Sequence, residues 1–176
     1  RNPNQVDAIN NRARALHELG RVEEATLGFR RLLVWAPGHS VAWNNLGVSL
    51  RELSFLERAL ETFQRTLLIE SKNGEAQNNL GTVAWALGDE AGAIAAYENA
   101  KKIRPGLPDA CLNLAFALAG QGRHEDAIAE YDAGARANPS DARFPIRRAL
   151  SLPQVCRNRE EIWALRASLE AFLDSG

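Results

Sequence analysis

The sequence predicts an all-α fold: an α-solenoid in which helical hairpins stack into a right-handed superhelix. The prediction rests on three residue types that recur at a spacing of 34 positions. Alanine recurs at Ala25, Ala59, Ala93 and Ala127. An aromatic residue recurs at Phe29, Phe63, Tyr97 and Tyr131. Asparagine recurs at Asn11, Asn45, Asn79 and Asn113. Such a period is typical of repeated hairpins, because one hairpin cannot bury its apolar face alone.

The period divides the chain into windows. Four complete windows lie at 6–39, 40–73, 74–107 and 108–141, and residues 142–176 are predicted to form a partial fifth unit with a capping helix. Residues 1–5 are predicted to end a preceding repeat, since Pro3 lies 34 residues before Pro37. This spacing and the absence of methionine suggest a segment of a longer polypeptide. Trimming of a shorter protein is the alternative.

The first helix of each window is predicted to carry a Leu followed by a small residue. The Leu occurs at Leu46, Leu80 and Leu114, with Arg12 in its place in the first window. The small residues are Ala13, Gly47, Gly81 and Ala115. A small residue that faces the recurrent alanine of the second helix lets the two helices approach to roughly 8–10 Å. We expect the aromatic residue to wedge against the next hairpin.

Glycine and proline mark the predicted helix ends. A left-handed turn between the two helices is expected at Gly20, Gly88 and Gly122, with Ser54 in place of glycine in the second window. The closing proline is Pro37, Pro105 and Pro139, with Ser71 in its place in the second window. This combination of residues resembles the tetratricopeptide repeat family over about 136 residues. The resemblance implies stacked helical hairpins and a role in protein–protein interaction.

The last 35 residues break the period. A first helix is predicted over 142–152, with Asp141 as its cap and Pro145 in its first turn, and Pro153 ends it. A second helix is predicted from Asn158, with Glu161 as the capping-box partner. Its apolar stripe consists of Ile162, Leu165, Leu169 and Phe172. We expect this helix to cover the last hairpin, whose end would otherwise be apolar.

Composition predicts a cytoplasmic protein that binds neither nucleic acid nor membrane. The 21 basic and 22 acidic residues nearly cancel, so no electrostatic footprint for an anionic partner is present. No apolar run approaches the roughly 18 residues of a membrane span, and no signal peptide is visible. The two cysteines, Cys111 and Cys156, favour a reducing compartment over a disulfide framework.

No catalytic, metal or cofactor motif is found in the sequence. The three histidines lie in different parts of their windows and lack ligands at suitable spacing: His17, His39 and His124. The glycines fall at repeat turns and do not form a phosphate-binding loop. Glu160 and Glu161 lie at a predicted helix start, where carboxylates ordinarily complement the helix dipole. We therefore predict that this chain is not an enzyme and needs no cofactor.

The four recurrent asparagines, which we call the asparagine ladder, are the candidate binding site. Asparagine is unfavourable inside helices, so its recurrence needs an explanation. Helical spacing predicts that the ladder lines a concave groove, where an amide can bind the C=O and N–H of an extended peptide. The candidate selectivity residues beside it are Asp7, Arg14, Glu75, Trp85, Asp109 and Phe116. Alternatively, the asparagines hydrogen-bond neighbouring hairpins or have no present role.

The position of the ladder also resembles the repeats of the O-linked N-acetylglucosamine transferases and their bacterial SPINDLY-type relatives. The resemblance implies that Asn11, Asn45, Asn79 and Asn113 hold substrate polypeptide beside a glycosyltransferase region. The tail supports it more loosely, through Leu150, Leu152, Pro153, Glu160, Glu161, Ile162, Arg166, Leu169 and Leu173. No glycosyltransferase residues are present in this chain.

Three functions compete at this point. The first is recruitment of extended polypeptide by the ladder, within a larger glycosyltransferase-like protein. The second is a scaffold that self-associates, to which Trp35 and Trp163 would contribute as exposed apolar side chains. The third is a clamp for an acidic C-terminus. The clamp is disfavoured, because the groove of the third window carries Glu75 and Asn78 where it would need Lys and Arg.

Overall fold

The structure is a computed structural model that describes residues 3–151, 163 and 167. All regular secondary structure in this part of the chain is helical, which confirms the predicted all-α helical-repeat fold. The helices of residues 3–151 are α1 (Pro3–Glu18), α2 (Val22–Trp35), α3 (Ser40–Glu52), α4 (Leu56–Ile69), α5 (Gly74–Ala86), α6 (Glu90–Ile103), α7 (Pro108–Gly120), α8 (His124–Ala137) and α9 (Arg143–Leu150).

The chain forms two compact units. Unit 1 (Arg1–Leu107) contains three hairpins, which we number 1 to 3: α1–α2, α3–α4 and α5–α6. Within it, α2 packs on α3 and α4 packs on α5, while α1, α3 and α5 also contact one another in that order. Unit 1 therefore has a layer of first helices beside a layer of second helices. Unit 2 (Pro108–Gly176) contains the hairpin α7–α8, and α9 packs on α8.

Each aromatic ring in hairpins 2 and 3 rests on a glycine of its own hairpin. A Cβ added at Gly47 would overlap the ring of Phe63, and one at Gly81 would overlap the ring of Tyr97. The recurrent alanines Ala59 and Ala93 are fully buried. The observed seat of each ring thus lies within the hairpin, whereas the sequence predicted contact with the next one. Glycine provides this seat because any side chain would occupy the space of the ring.

The hairpin turns adopt the predicted left-handed conformation at every position, including the one that lacks glycine. The φ angles of Gly20, Gly88 and Gly122 are 75°, 84° and 75°. Ser54 adopts φ 62° at the corresponding position. A residue with a Cβ is sterically disfavoured in this left-handed conformation. The packing of hairpin 2 therefore holds Ser54 in it. The second helices α2, α6 and α8 end two residues before Pro37, Pro105 and Pro139, as predicted.

The first helix starts earlier than predicted. Residues 3–5 were expected to belong to a closing turn, but α1 begins at Pro3. The physical reason is that proline is favoured in the first turn of a helix, where its missing N–H is not needed and its φ is already helical. The offset of Pro3 from Pro37 therefore does not give the two prolines the same structural role.

The fifth unit starts close to the predicted place, although α9 runs from Arg143 to Leu150 and has Ala142, not Asp141, as its N-cap residue. Asp141 Oδ1 accepts a hydrogen bond from the Arg143 backbone N–H at 3.0 Å, and Pro145 lies in the first turn of α9. Phe144 is fully buried, and a Cβ at Gly134 of α8 would overlap its ring. The predicted second helix from Asn158, with its apolar stripe, lies outside the described residues. Within its range, only Trp163 and Ala167 are described, and both are helical and exposed.

Candidate functional site

In unit 1, the ladder asparagines occupy the same repeat position on three contacting helices. Asn11 lies on α1, Asn45 on α3 and Asn79 on α5. Asn11 is exposed, and the other two are half-buried. Because first helices contact one another in sequence order, these amides belong to one helical layer of unit 1. All three residues are therefore at least partly exposed to solvent.

One ladder asparagine also bonds to the preceding hairpin. Asn79 Nδ2 donates a hydrogen bond to Asn44 Oδ1 at 3.2 Å. This contact is the kind of structural role that the sequence left open as an alternative to peptide binding. A primary amide has two N–H donors and an acceptor oxygen, so this contact with Asn44 occupies only part of the hydrogen-bonding capacity of Asn79. Asn79 can therefore brace two hairpins and still bind a ligand.

A second asparagine column, which the sequence analysis missed, lies directly beside the ladder. It consists of Asn10, Asn44 and Asn78, each one residue before a ladder asparagine. Asn10 and Asn78 are only 7% and 8% exposed. Asn10 Oδ1 is buried and has no hydrogen-bond partner within residues 3–151. The signal was present in the sequence as Asn–Asn pairs at a 34-residue spacing. Within this column, Asn44 links two hairpins, because its Oδ1 accepts the hydrogen bond from Asn79 Nδ2.

Two charged candidates of unit 1 lie in exposed ion pairs: Arg14 with Glu18 at 3.6 Å and Glu75 with Arg104 at 2.9 Å. A third, Asp7, has its Oδ1 3.8 Å from Nε2 of the partly buried His39. The Nδ1 of His39 also accepts a hydrogen bond from the Ala42 backbone N–H at 3.0 Å and so caps α3. Exposed ion pairs are weak, so these charges can exchange their partners for a charged ligand. Trp85, the aromatic candidate of unit 1, is half-buried on α5.

The remaining candidates belong to unit 2 and form a separate group. Asn113 is half-buried on α7, and Phe116 on the same helix is 50% exposed. Asp109 Oδ1 lies 2.7 Å from Arg143 Nη1. The same guanidinium bonds to Asp141, and its hydrogen bond lowers the pKa of that carboxyl. Arg143 therefore ties the first turn of α7 to the start of α9.

The structure pairs a histidine with a carboxylate that the sequence spacing did not indicate. His17 Nε2 on α1 lies 3.0 Å from Glu52 Oε2 on α3. The pair joins two hairpins, so spacing along the chain could not reveal it. Among residues 3–151, 163 and 167, no group of three or more potential metal ligands comes together. No helix in that part of the chain is long and apolar enough to cross a membrane.

Sequence profiles of the tetratricopeptide repeat match residues 10–26, 44–108 and 84–144. Together they span most of the repeated region, and they agree with the hairpins seen in both units. The chain belongs to the tetratricopeptide repeat family. No curated protein sequence matches this tetratricopeptide repeat protein.

Solved tetratricopeptide repeat structures resemble the chain closely in fold. PilF of Pseudomonas aeruginosa has a TM-score of 0.82 at 19% identity, covering 97% of this chain and 76% of PilF. MamA has a TM-score of 0.78 at 18% identity, covering 93% of this chain and 95% of MamA. YrrB, described as a TPR protein with an unusual peptide-binding site, has a TM-score of 0.70 at 19% identity, covering 91% of this chain and 82% of YrrB. These likenesses show the fold, and they give no support to the resemblance with the O-linked N-acetylglucosamine transferases.

Proposed function

We propose that this tetratricopeptide repeat protein is an interaction module that binds extended polypeptide on the first-helix layer of unit 1. The observation that carries the proposal is the repetition of an accessible amide at Asn11, Asn45 and Asn79 on three contacting helices. An amide offers one acceptor and two donors, which match a peptide C=O and N–H. Such contacts read the backbone of a ligand, so the module tolerates many sequences.

Affinity through this ladder is expected to be weak. Each amide contributes about 0.5–1.5 kcal/mol net per hydrogen bond, which offsets only part of the cost of ordering a peptide. Binding is therefore micromolar or weaker. Because the amides are neutral, salt lowers the affinity only modestly. Selectivity between peptide ligands comes from the side chains of Asp7, Arg14, Glu75 and Trp85. We propose Asn113, Asp109 and Phe116 as the corresponding contacts of unit 2.

The test uses a permanently unfolded polypeptide, namely a reduced and carboxymethylated protein with a fluorescent label. Its binding to the chain is measured by fluorescence anisotropy, together with the melting temperature of each variant. The double change Asn45→Ala and Asn79→Ala should weaken binding while most of the helicity is kept, since alanine is the better helix former. Asn99→Ala is the matched control, because Asn99 is an exposed asparagine on a second helix, α6.

Each outcome has a defined meaning. Loss of binding in the double variant, with Asn99→Ala unchanged, supports the proposal. Unchanged binding in a folded double variant rejects the ladder as the peptide site. Global unfolding of the double variant assigns the asparagines a structural role, which the bond between Asn79 and Asn44 already provides in part. Asn45→Ala alone then separates the two roles, since Asn44, and not Asn45, is the partner in that bond.

A self-associating scaffold is the second candidate, favoured by one observation. Trp35 and Trp163 are 60% and 63% exposed, which is unusual for the largest apolar side chain. Sedimentation over a range of concentrations tests it, and a monomer at every concentration rejects it. A glycosyltransferase partner region rests on the position of the asparagines and, more loosely, on the tail, and the coding sequence after Gly176 tests it. The balanced charge and the small number of cysteines support a cytoplasmic location.

A further inference from the structure

The two junctions between the hairpins of unit 1 differ in how they hold the ladder. At the junction of hairpins 2 and 3, Asn79 Nδ2 donates a hydrogen bond to Asn44 Oδ1 at 3.2 Å. At the junction of hairpins 1 and 2, the repeat equivalents are Asn45 and Asn10. Asn10 is 7% exposed, and its Oδ1 has no hydrogen-bond partner within the described part of the chain. The second column therefore holds the ladder at Asn79 but not at Asn45.

This difference does not come from a change of register between the hairpins. The bond between Asn44 and Asn79 joins residues 35 positions apart. At the other junction, His17 Nε2 lies 3.0 Å from Glu52 Oε2, and these two residues are also 35 positions apart. The two contacts indicate that first helices meet in the same register at both junctions. The missing bond at Asn10 therefore reflects the side chains and not a shift of α1 along α3.

The bond to Asn44 fixes the orientation of the Asn79 amide. A carboxamide is planar, so a contact that holds its nitrogen also fixes the direction of its oxygen. The bond uses one N–H donor of Asn79 and leaves the second N–H and the Oδ1 acceptor for a peptide. A side chain that is already held loses less conformational entropy when it binds, and such preorganisation raises affinity. Asn45, which lacks the equivalent bond to Asn10, is ordered only when a peptide binds.

We propose that Asn44 is a positioning residue of the peptide site. Its Oδ1 orients the amide of Asn79 and so makes Asn79 a stronger peptide contact than Asn45. The inference rests on the proposed function, because an oriented amide affects affinity only if the ladder binds peptide. It goes further than a structural role for Asn44, since it predicts that a residue outside the ladder sets the affinity of a residue within it.

The test is a double-mutant cycle on peptide binding. The probe is the labelled, reduced and carboxymethylated polypeptide, measured by fluorescence anisotropy against Asn44→Ala, Asn79→Ala and the double variant. Loss of a peptide hydrogen bond in Asn79→Ala should weaken binding ~3-fold to ~10-fold. Asn44→Ala should weaken it by a smaller factor of at least ~2-fold. In the Asn79→Ala background, Asn44→Ala should have no further effect, because it acts only through the amide of Asn79.

The junction of hairpins 1 and 2 provides the matched control. Asn10→Ala should leave the affinity within ~2-fold of the wild type, because Asn10 does not hold the ladder amide that faces it. Asn45→Ala should weaken binding less than Asn79→Ala, since its amide is not oriented beforehand. The melting temperature of each variant checks folding. If Asn44→Ala does not fold, Asn44→Leu replaces it, because Leu112 occupies this repeat position in the fourth window.

A conservative variant separates positioning from packing. Asn44→Asp keeps an acceptor oxygen at the same place, so its affinity should stay within ~2-fold of the wild type. The added charge is screened by measuring at about 1 M salt, where the Debye length is about 3 Å. The side-chain NH₂ resonances of Asn79 give a readout that needs no peptide. Their NMR chemical shifts should move in Asn44→Ala, while those of the exposed Asn99 on α6 stay in place.

The outcomes distinguish failure of this inference from failure of the proposed function. If Asn79→Ala weakens binding but Asn44→Ala does not, or if the two effects add, Asn44 has no positioning role and the ladder still stands as the peptide site. A loss in Asn44→Asp as large as that in Asn44→Ala also rejects the positioning role. If a folded Asn79→Ala binds as well as the wild type, the peptide site is rejected at this position, and the role of Asn44 with it. A non-additive loss that Asn44→Asp avoids, with Asn10→Ala unchanged, establishes Asn44 as the positioning residue.

Discussion

Hairpins 2 and 3 differ at several pattern positions and yet have the same architecture. Hairpin 2 carries Ser54 and Ser71 where hairpin 3 carries Gly88 and Pro105. Nevertheless, both consist of a 13-residue helix followed by a 14-residue helix. What the two share is an aromatic ring on the second helix that rests on a glycine of the first helix. The comparison indicates that packing between helices sets the hairpin, while turn and closing residues adjust its stability.

The two hairpins also differ in one buried polar contact. In hairpin 3, the hydroxyl of Tyr97 lies close enough to the hydroxyl of Thr82 for that residue to lower its pKa. In hairpin 2, the corresponding positions are Phe63 and Val48, which cannot form such a polar contact. The contact replaces apolar packing with a matched polar pair at the same site. In each hairpin the two side chains match each other. Combining the aromatic residue of one hairpin with the partner residue of the other should therefore lower the free energy of unfolding.

Removing the ring should have the largest effect in both hairpins. Phe63→Ala and Tyr97→Ala should each lower the free energy of unfolding by about 3–5 kcal/mol, since truncating a buried aromatic leaves a cavity. Urea denaturation measures the change. Phe116→Ala is the control, because Phe116 is 50% exposed and should lose well under half as much. A small loss at Phe63 would contradict the role of the ring as the organising contact of hairpin 2.

Filling the seat of the ring should come next. Gly81→Ala should destabilise by about 3 kcal/mol and Gly47→Ala by somewhat less. A Cβ at Gly81 would meet both the Tyr97 ring and the Ala93 backbone oxygen at 3.0 Å, whereas the three atoms nearest to a Cβ at Gly47 all belong to the side chain of Phe63. Alanine is otherwise favoured over glycine inside helices, so stabilisation by either change would show that the ring can move aside. Thermal and urea unfolding would both detect it.

Exchanging the polar contact should have an intermediate effect. Phe63→Tyr should cost about 2 kcal/mol, because its hydroxyl would be buried beside Val48 without a partner. Adding Val48→Thr should recover a large part of this loss by restoring the pair seen in hairpin 3. The coupling free energy from a double-mutant cycle measures the contact. Additive effects of the two changes would mean that the Tyr97 hydroxyl interacts with a group other than Thr82.

How far the sequence could predict the structure follows from the range of each interaction. The repeat period predicted the helices, the hairpin turns and the proline-marked ends, because those depend on residues close in the chain. Contacts between hairpins could not be read in the same way. The bond from Asn79 to Asn44 and the contact of His17 with Glu52 depend on how hairpins stack.

Exchanging the turn residues should have a smaller effect of opposite sign in the two hairpins. Ser54→Gly should stabilise by about 1 kcal/mol, because glycine adopts the positive φ of 62° without a steric penalty. Gly88→Ser, at φ 84°, should destabilise by a similar amount. The difference in melting temperature between the two variants is the measurement. Destabilisation by Ser54→Gly would imply that a contact of the serine side chain stabilises the turn by more than the positive φ destabilises it.

The smallest effect should be the pH dependence that Tyr97 gives to hairpin 3. Burial raises the pKa of Tyr97 above the usual value of about 10 for a tyrosine, although Thr82 and the charge of Arg51 act in the opposite direction. The unfolded chain therefore ionises this tyrosine first. The stability that this tyrosine contributes is fully present below about pH 10 and is lost as pH rises through the folded pKa.

Urea unfolding from about pH 8 to about pH 11 should show a steeper decline in the free energy of unfolding for the wild type than for Tyr97→Phe. Every other titrating group is common to both proteins, so the difference between the curves isolates Tyr97. Parallel curves would contradict the raised pKa and would mean that solvent reaches the hydroxyl in the folded state.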